Sequence, residues 1–220
     1  GFNYNSRNII KNLNLEIDGG KSTAIVGPTG CGKSTLTKLL FRFYDPHKGE
    51  ISIDKQKLKD CKMDSIRSII GVVPQDTIMF NNTIGFNLSY GNQNASMKEI
   101  RKVVKLCNLD DFIESLDLKY ETIVGERGLK LSGGEKQRIA IARMMLKKPK
   151  ILILDEATSA LDSKTEKLVL DSIDEYFKNS TKIIIAHRLT TIRNSDKIVV
   201  MSKGKIIEQG KHSNLIKNKG

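Results

Sequence analysis

Long hydrophobic runs are missing from this sequence of 220 residues. Its longest apolar runs, such as residues 151–154 and 183–186, span four residues, whereas a membrane-spanning helix needs about 20. The sequence therefore predicts no membrane-spanning helix within these residues. No signal-peptide pattern opens the chain either. Its first residues already look like the interior of a fold, so we expect a piece excised from something longer.

Cysteine and histidine are scarce. The three cysteines, Cys31, Cys61 and Cys107, lie far apart and form no Cys-x-x-Cys pair, so we expect reduced thiols rather than a disulfide framework. The three histidines are equally scattered, and the sequence predicts no zinc site.

The net charge of +12 would suit a nucleic-acid partner. Lys outnumbers Arg by 28 to 9, however, and is spread along the whole chain. Because base-reading sites favour the bidentate guanidinium of Arg, we predict no nucleic-acid partner.

Continuous apolar runs predict a parallel sheet. Residues 69–75, 151–156 and 182–187 each contain such a run and end in a polar residue, which is typical of strands covered on both faces. A further strand is predicted at residues 23–26, followed by a helix whose apolar positions share one face. Ligands of open α/β sheets bind beyond the carboxyl ends of the strands, where these polar residues lie.

Alternating apolar and polar residues predict antiparallel strands at 12–18 and 49–54, and a hairpin at 197–210 that turns at 202–204. Helical patterns dominate between the strands, including 97–109 and 135–146. The predicted fold is α/β, one domain over 1–220. It has a core of residues 1–75 and 149–220, with a mostly parallel sheet and an antiparallel β subdomain, and an inserted helical subdomain of residues 76–148.

The stretch GPTGCGKST, residues 27–35, matches a phosphate-binding loop between a strand and a helix. Its glycines let successive N–H groups point inward, and the following helix adds the positive end of its dipole. Lys33 can reach the β- and γ-phosphates, and the Ser34 hydroxyl can ligate Mg²⁺. A glycine-rich turn alone would not explain Lys33-Ser34 at this spacing. The predicted phosphate ligands are Gly27, Pro28, Thr29, Gly30, Cys31, Gly32, Lys33, Ser34 and Thr35.

The stretch ILILDE, residues 151–156, adds a carboxylate pair. Asp155 can hold Mg²⁺, and Glu156 can polarise a water for in-line attack as a general base. A pair that merely ends a strand is the alternative, and the phosphate loop in the same chain argues against it. The Asn/Thr-Lys-x-Asp sequence that recognises guanine is missing. The sequence therefore predicts an ATPase.

The stretch LSGGEKQR, residues 131–138, begins a predicted helix with the capping-box spacing of Ser132 and Glu135. A cap does not explain Gly133-Gly134, which cost a helix roughly 1 kcal/mol each. Glycines suit a backbone that a ligand approaches closely, and a helix N-terminus with a hydroxyl can bind phosphate. We predict a second phosphate site at Ser132, Gly133, Gly134 and Glu135.

With these three motifs in this order, the chain resembles the nucleotide-binding domain of an ATP-binding cassette (ABC) transporter from residue 2 to about residue 215. The resemblance implies an ATP-binding core and the cofactors ATP and Mg²⁺. It implies that Tyr4 stacks on adenine, that Gln75 contacts Mg²⁺ and the attacking water, and that His187 contacts the γ-phosphate. Asp162 ends the SALD segment that crosses to a partner subunit. The implied catalytic residues are Lys33, Gln75, Glu156 and His187.

The resemblance also implies an assembly. Two copies face each other head to tail around two ATP molecules, so that Ser132 and Gly134 of one copy close on the γ-phosphate held by Lys33 of the other. The implied partners are ATP and ADP, a second nucleotide-binding domain in a homodimer, and the transmembrane domain of the same transporter.

Residues 124–128, VGERG, resemble the x-loop of ABC exporters, and residues 42–54 and 71–84 look most like half-size exporters of the mitochondrial iron–sulfur or heavy-metal type. The resemblance implies ATP-driven export, with this domain facing the cytosol or the mitochondrial matrix and the mitochondrial inner membrane favoured. Two alternatives remain. One is an ABC-type ATPase of DNA repair or chromosome maintenance, against which the absence of sustained heptads in residues 76–131 argues. The other is a stand-alone importer subunit, against which the x-loop argues.

Overall fold

The computed structural model of the chain describes residues 1–5, 7–185 and 189–217. The chain forms two compact units. The first comprises Gly1–Ile70, Lys150–Asp155 and Asn179–Gly220, and the second comprises Gly71–Pro149 and Glu156–Lys178.

Strands and helices alternate along most of the described chain. They are β1 (Phe2–Tyr4), β2 (Arg7–Ile10), β3 (Ser22–Val26), α1 (Lys33–Leu40), β4 (Ser52–Ile53), β5 (Gln56–Lys57), α2 (Met63–Ile69), β6 (Ile70–Val73), α3 (Ile84–Ser89), α4 (Met97–Leu106), α5 (Asp110–Glu114), α6 (Gly133–Lys147), β7 (Ile151–Asp155), α7 (Ser163–Tyr176), β8 (Thr181–Ile185), α8 (Leu189–Arg193), β9 (Lys197–Ser202), β10 (Lys205–Gly210) and α9 (His212–Lys217). Short 3-10 helices lie at Leu58–Asp60, Lys119–Glu121 and Glu126–Gly128.

The central sheet has the strand order β10-β9-β3-β8-β7-β6, and β6 begins at the last residue of the first unit's longest segment. Strand β3 runs parallel to β8 and β9, β7 runs parallel to β8, and β10 is antiparallel to β9. The middle residues of β3 and β7 are buried, because strands of a parallel sheet are covered on both faces. The predicted strands at 23–26, 69–75, 151–156 and 182–187 are confirmed, each within a few residues.

Antiparallel pairs form where alternation predicted them, with one exception. The hairpin β9–β10 turns at Lys203 and Gly204, whose φ angles of 47° and 80° suit a two-residue hairpin turn. Strands β1 and β2 pair antiparallel, as do β4 and β5.

The predicted strand at 12–18 is wrong. Its side chains do alternate between exposed and half-buried, so the chain is extended there. No described residue pairs with it as a neighbouring strand, and alternation reports burial rather than hydrogen bonding.

The second unit is mostly helical. Helices α3 and α4 pack on α6, whose residues 139–142 and 144–146 are buried. The predicted helix at 97–109 ends earlier, at Leu106, since Asn108 adopts a left-handed φ of 52°. The predicted helix at 135–146 begins earlier, at Gly133. This unit also includes α7, so the subdomain boundaries at 76–148 stay a prediction. None of the described helices is long and apolar enough to cross a membrane.

Candidate functional site

The phosphate loop, residues 27–35, connects the carboxyl end of β3 to α1. Gly30 and Gly32 have φ angles of 79° and 113°, a region that glycine enters without steric cost. Gly27 is required for a different reason. A Cβ there would lie 2.2 Å from the carbonyl oxygen of Met201 and 2.9 Å from Sγ of Cys31. The loop can therefore close against its neighbours only without a side chain at this position.

Lys33 is buried, with 8% of its surface exposed. Its Nζ donates hydrogen bonds to the carbonyl oxygens of Gly27 at 2.7 Å and Pro28 at 3.2 Å. These bonds fix the ammonium group against the loop. The side chain of Ser34 is exposed, and that of Thr35 is buried. Charge and hydroxyl therefore meet at the first residues of α1.

The first turn of α1 fits an anionic ligand. Its N-cap is Gly32, in a left-handed conformation, and no side chain among the described residues caps it. The first four N–H groups of a helix have no partner within the helix, and they carry the positive end of its dipole. A phosphate group would supply the missing acceptors.

Asp155 ends β7 and is half-buried, in register with Ile185 of β8. Among the described residues, no cluster of three or more His, Cys, Asp and Glu side chains could hold a metal ion. Mg²⁺ at a nucleotide needs no such cluster, since it is bound through one or two protein oxygens, phosphates and water. One carboxylate of Asp155 and one hydroxyl of Ser34 fit that demand.

In the second unit, Gln75 and Glu156 are in direct contact. Nε2 of Gln75 donates a hydrogen bond of 2.8 Å to Oε2 of Glu156. Glu156 has a φ of 49°, a left-handed conformation that costs a residue with a side chain about 1–3 kcal/mol. The predicted base and the predicted Q-loop residue are thus brought together on a strained backbone.

The signature segment, residues 131–138, forms the predicted capping box. Ser132 Oγ accepts the N–H of Glu135 at 3.3 Å, and Oε2 of Glu135 accepts the N–H of Ser132 at 2.7 Å. The Ser132 side chain is exposed, and its O–H remains a possible donor because the cap uses the oxygen as an acceptor.

The two glycines of this segment lie close to another part of the same chain. A Cβ at Gly133 would lie 3.3 Å from Cβ of Ala160, and one at Gly134 would lie 3.3 Å from the Ala160 carbonyl oxygen. The close backbone approach that these glycines allow is therefore, in part, to a neighbouring loop. The predicted approach of a ligand stays a prediction.

That neighbouring loop, residues 156–162, is called here the Glu156 loop. It ends at Asp162, whose side chain accepts the N–H groups of Lys164 at 3.1 Å and Thr165 at 3.0 Å and so caps α7. Hydrogen bonds from Thr165, first from its side chain and then from its backbone, lower the pKa of Asp162. The predicted partner-crossing residue is also a helix cap.

The sequence analysis missed one residue of this region, Gln137. Its side chain is 3% exposed and hydrogen-bonded to the Glu156 loop. A signal was present: Gln137 lies three, four and seven residues before Ala140, Ile141 and Met144, which puts an amide on the buried face of α6.

Two predicted residues are less informative. The ring of Tyr4 packs edge-on against Phe2 and Tyr44, with Nζ of Lys38 5.8 Å from its centre. Its Oη is buried without a hydrogen-bond partner in the described part of the chain, and adenine stacking stays a prediction. His187 lies outside the described residues.

A family model described as ABC transporter matches residues 10–159. The chain belongs to the ABC transporter family. The predicted family is thereby confirmed, and the chain is an ATPase domain of ABC type, as its three motifs predicted.

Similar ABC proteins include two that match the chain over its full length. The mitochondrial iron–sulfur clusters transporter ABCB7 of Danio rerio is 49% identical over 220 residues, which are 30% of that protein. The ATM1-type heavy metal exporter of Novosphingobium aromaticivorans is 50% identical over 220 residues, which are 36% of that protein. The chain spans about a third of the length of these curated relatives. The two predicted alternatives are not favoured.

A solved ABC structure shares the fold. It is a bacterial Atm1-family ABC exporter with ATP bound, and it is 48% identical with a TM-score of 0.96 over 100% of this chain and 38% of its own. This likeness confirms the predicted α/β P-loop fold with a mostly parallel sheet.

Proposed function

We propose that this ABC domain binds ATP with Mg²⁺, hydrolyses it, and thereby powers export across a membrane. The observation that carries the proposal is the phosphate loop, where a buried Lys33 and an uncapped helix start meet in a cradle that excludes a side chain at Gly27.

In the proposed mechanism Lys33 and the N–H groups of α1 bind the β- and γ-phosphates. Ser34 and Asp155 would hold Mg²⁺, which when bound neutralises charge on the phosphate oxygens. Glu156 accepts a proton from the attacking water. Gln75 orients that carboxylate through its hydrogen bond to Oε2.

The working assembly is proposed to be a homodimer in which each site is completed by the other copy. Ser132 and Gly133 are exposed at the start of α6, so their O–H and N–H groups are accessible to a γ-phosphate held by a second chain. Hydrolysis removes that phosphate and with it the contact between the copies.

The partner in export is proposed to be a transmembrane domain of the same transporter. An exposed aromatic cluster suits it: Phe80, Phe86 and Tyr90 contact one another, and the Arg143 guanidinium lies 5.7 Å from the ring centres of both Phe80 and Tyr90. Neighbouring Ile78 is 71% exposed. Contiguous exposed apolar side chains mark surfaces that another protein covers.

The relatives direct the proposal to one branch of exporters. Because proteins named as iron–sulfur cluster and heavy metal exporters are 49–50% identical to the whole chain, we propose a half-transporter of that type. Its membrane is proposed to be the mitochondrial inner membrane, with this domain on the matrix side.

The substitution Glu156→Gln tests the mechanism. It removes the proton acceptor but keeps the shape of the side chain, so we expect turnover to fall about 10²- to 10⁴-fold, or roughly 3–5 kcal/mol. ATP binding should persist, and the variant should form an ATP-dependent dimer that sedimentation detects.

Glu114→Gln is the matched control, since it changes an exposed carboxylate in the same unit that pairs with Lys119. We expect parental turnover and no trapped dimer. If Glu156→Gln hydrolysed ATP at the parental rate, or stayed monomeric at saturating ATP, the base assignment or the dimer would be refuted.

A further inference from the structure

The buried amide of Gln137 makes three hydrogen bonds to the Glu156 loop. Its Nε2 donates to Oγ of Ser159 at 2.9 Å and to the carbonyl oxygen of Glu156 at 3.3 Å, and its Oε1 accepts the N–H of Ala160 at 2.9 Å. We propose that Gln137 is a positioning residue that holds the Glu156 loop, and hence the Glu156 carboxylate, in its reactive geometry. The inference rests on the proposed function.

The orientation of this amide is fixed by chemistry. The Ala160 N–H is only a donor and the Glu156 carbonyl is only an acceptor, so Oε1 and Nε2 cannot exchange places without setting like groups against each other. A buried amide that loses one of these partners leaves a polar group without compensation, which costs about 1–3 kcal/mol. The loop is thus held in one arrangement.

The loop needs such a restraint because its first residue is strained. Glu156 has a φ of 49°, and a conformation of this kind persists only where the surroundings enforce it. On the opposite side of the loop, buried Thr158 donates a hydrogen bond of 2.7 Å to Oε1 of buried Glu166 in α7. Helices α6 and α7 therefore hold the Glu156 loop between them.

The position of Gln137 in α6 links it to the signature segment. Ser132 caps the first turn of α6, Gln137 lies in the next turn, and Gly134 packs on the Ala160 carbonyl. A displacement of the helix start therefore displaces the group that holds the Glu156 backbone. This inference assigns to the signature helix a role within its own chain, in addition to the proposed contact with a second copy.

Gln137→Glu tests the proposal with the smallest change of shape. The new carboxylate can still accept the Ala160 N–H, but it places an oxygen against the Glu156 carbonyl oxygen. With the purified protein, we expect kcat per nucleotide-binding site to fall at least about 10-fold while Kd for MgATP changes less than about 2-fold, because Gln137 does not belong to the phosphate loop. Binding sites are counted by stoichiometric nucleotide titration.

The matched control is Asn87→Asp, a second buried amide of the same unit, whose side chain bonds Phe80, Thr83 and Arg143 instead. It should lower the melting temperature without changing kcat per binding site. A loss of kcat that is equal in the two variants would reduce Gln137 to a structural role and overturn the inference.

A double variant asks whether Gln137 acts through Glu156. If it does, Gln137→Glu has no further effect on the residual turnover of Glu156→Gln, because residues that act as one unit are not additive. Multiplicative losses would overturn the inference. Ser159→Ala removes one of the three bonds at an exposed position. Should Gln137→Glu not fold, this variant decides, with an expected loss of about 2- to 5-fold, and unchanged turnover overturning the proposal.

The two proposals fail in different ways. If the parental protein itself does not hydrolyse ATP, the proposed function fails. If the parental protein hydrolyses ATP and Gln137→Glu does so at the same rate per site, only the positioning role fails.

Discussion

Helices α1 and α6 both begin beside glycine and serine, but their first turns are completed in different ways. Helix α1 follows Gly32, in a left-handed conformation and without a side-chain cap among the described residues. Helix α6 follows Ser132, whose extended backbone and side chain form a complete capping box with Glu135.

The difference concerns what each helix start offers to a phosphate. At α1 the backbone N–H groups themselves lack a capping side chain, so a bound anion adds hydrogen bonds where few exist. At α6 the cap has already used the Ser132 oxygen as an acceptor, which leaves the O–H proton for a ligand. We infer that α1 binds a phosphate and that α6 contacts one that is already bound.

The largest effect expected from this comparison is that of Gly27→Ala. The new Cβ would lie 2.2 Å from the Met201 carbonyl oxygen, so the phosphate loop or β9 must shift. We expect a loss of unfolding free energy of about 3–5 kcal/mol and a loss of MgATP affinity, measured by denaturation and by calorimetric titration.

Gly30→Ala is the control for backbone strain alone, because φ is 79° and a Cβ there meets nothing within 4 Å. It should cost only about 1–2 kcal/mol. Equal costs for Gly27→Ala and Gly30→Ala would mean that the packing at Gly27 is not what shapes the loop.

Ser132→Ala should separate the two roles of the second helix start. Loss of the cap should lower the unfolding free energy by about 1 kcal/mol. Loss of the hydroxyl should lower turnover about 10- to 100-fold and leave the affinity of a single chain for MgATP unchanged. Steady-state hydrolysis and equilibrium titration measure the two effects.

Helix α4 supplies the control, because Ser96 and Glu99 form the same capping box there. Ser96→Ala should show the same loss of stability with parental turnover. If Ser96→Ala and Ser132→Ala reduced turnover equally, Ser132 would act only as a cap.

The sequence predicted those parts of the fold that depend on local pattern. Continuous apolar runs predicted the strands of the parallel sheet, and the spacing of Ser132 and Glu135 predicted the cap of α6. Residues 12–18 show the limit. Their alternation was real, but whether an extended segment gains a pairing partner depends on residues far away in the chain, which no local pattern encodes.

The candidate site divides in the same way. The phosphate loop could be predicted because its function resides in consecutive backbone groups. The contact between Gln75 and Glu156 joins residues 81 positions apart, and only the resemblance to a family suggested that both belong to one site. Gln137 was missed because a buried amide is recognised by its partners, and these lie in the Glu156 loop.

The smallest effect concerns pH at α4, whose cap carries one interaction that α6 lacks. Nζ of Lys148 donates to Oε1 of Glu99 at 2.6 Å, and together with the hydrogen bonds from Ser96 this ion pair lowers the pKa of Glu99 to about 2. An unfolded chain binds that proton near pH 4.3. The stabilisation is therefore complete above about pH 5 and is lost as the pH falls toward 2.

Glu99→Gln should accordingly melt below the parental protein at pH 7, and the difference should shrink between pH 5 and pH 2. The pair is exposed, with 55% and 40% of the two side chains accessible, so we expect a difference of only about 1–3 °C, which salt reduces further. A difference that is the same at pH 7 and pH 2.5 would assign the stabilisation to the shape of the cap rather than to the charge of Glu99. The α4 start would then stabilise its helix as an uncharged cap does, and charge would matter only at α1, where a ligand supplies it.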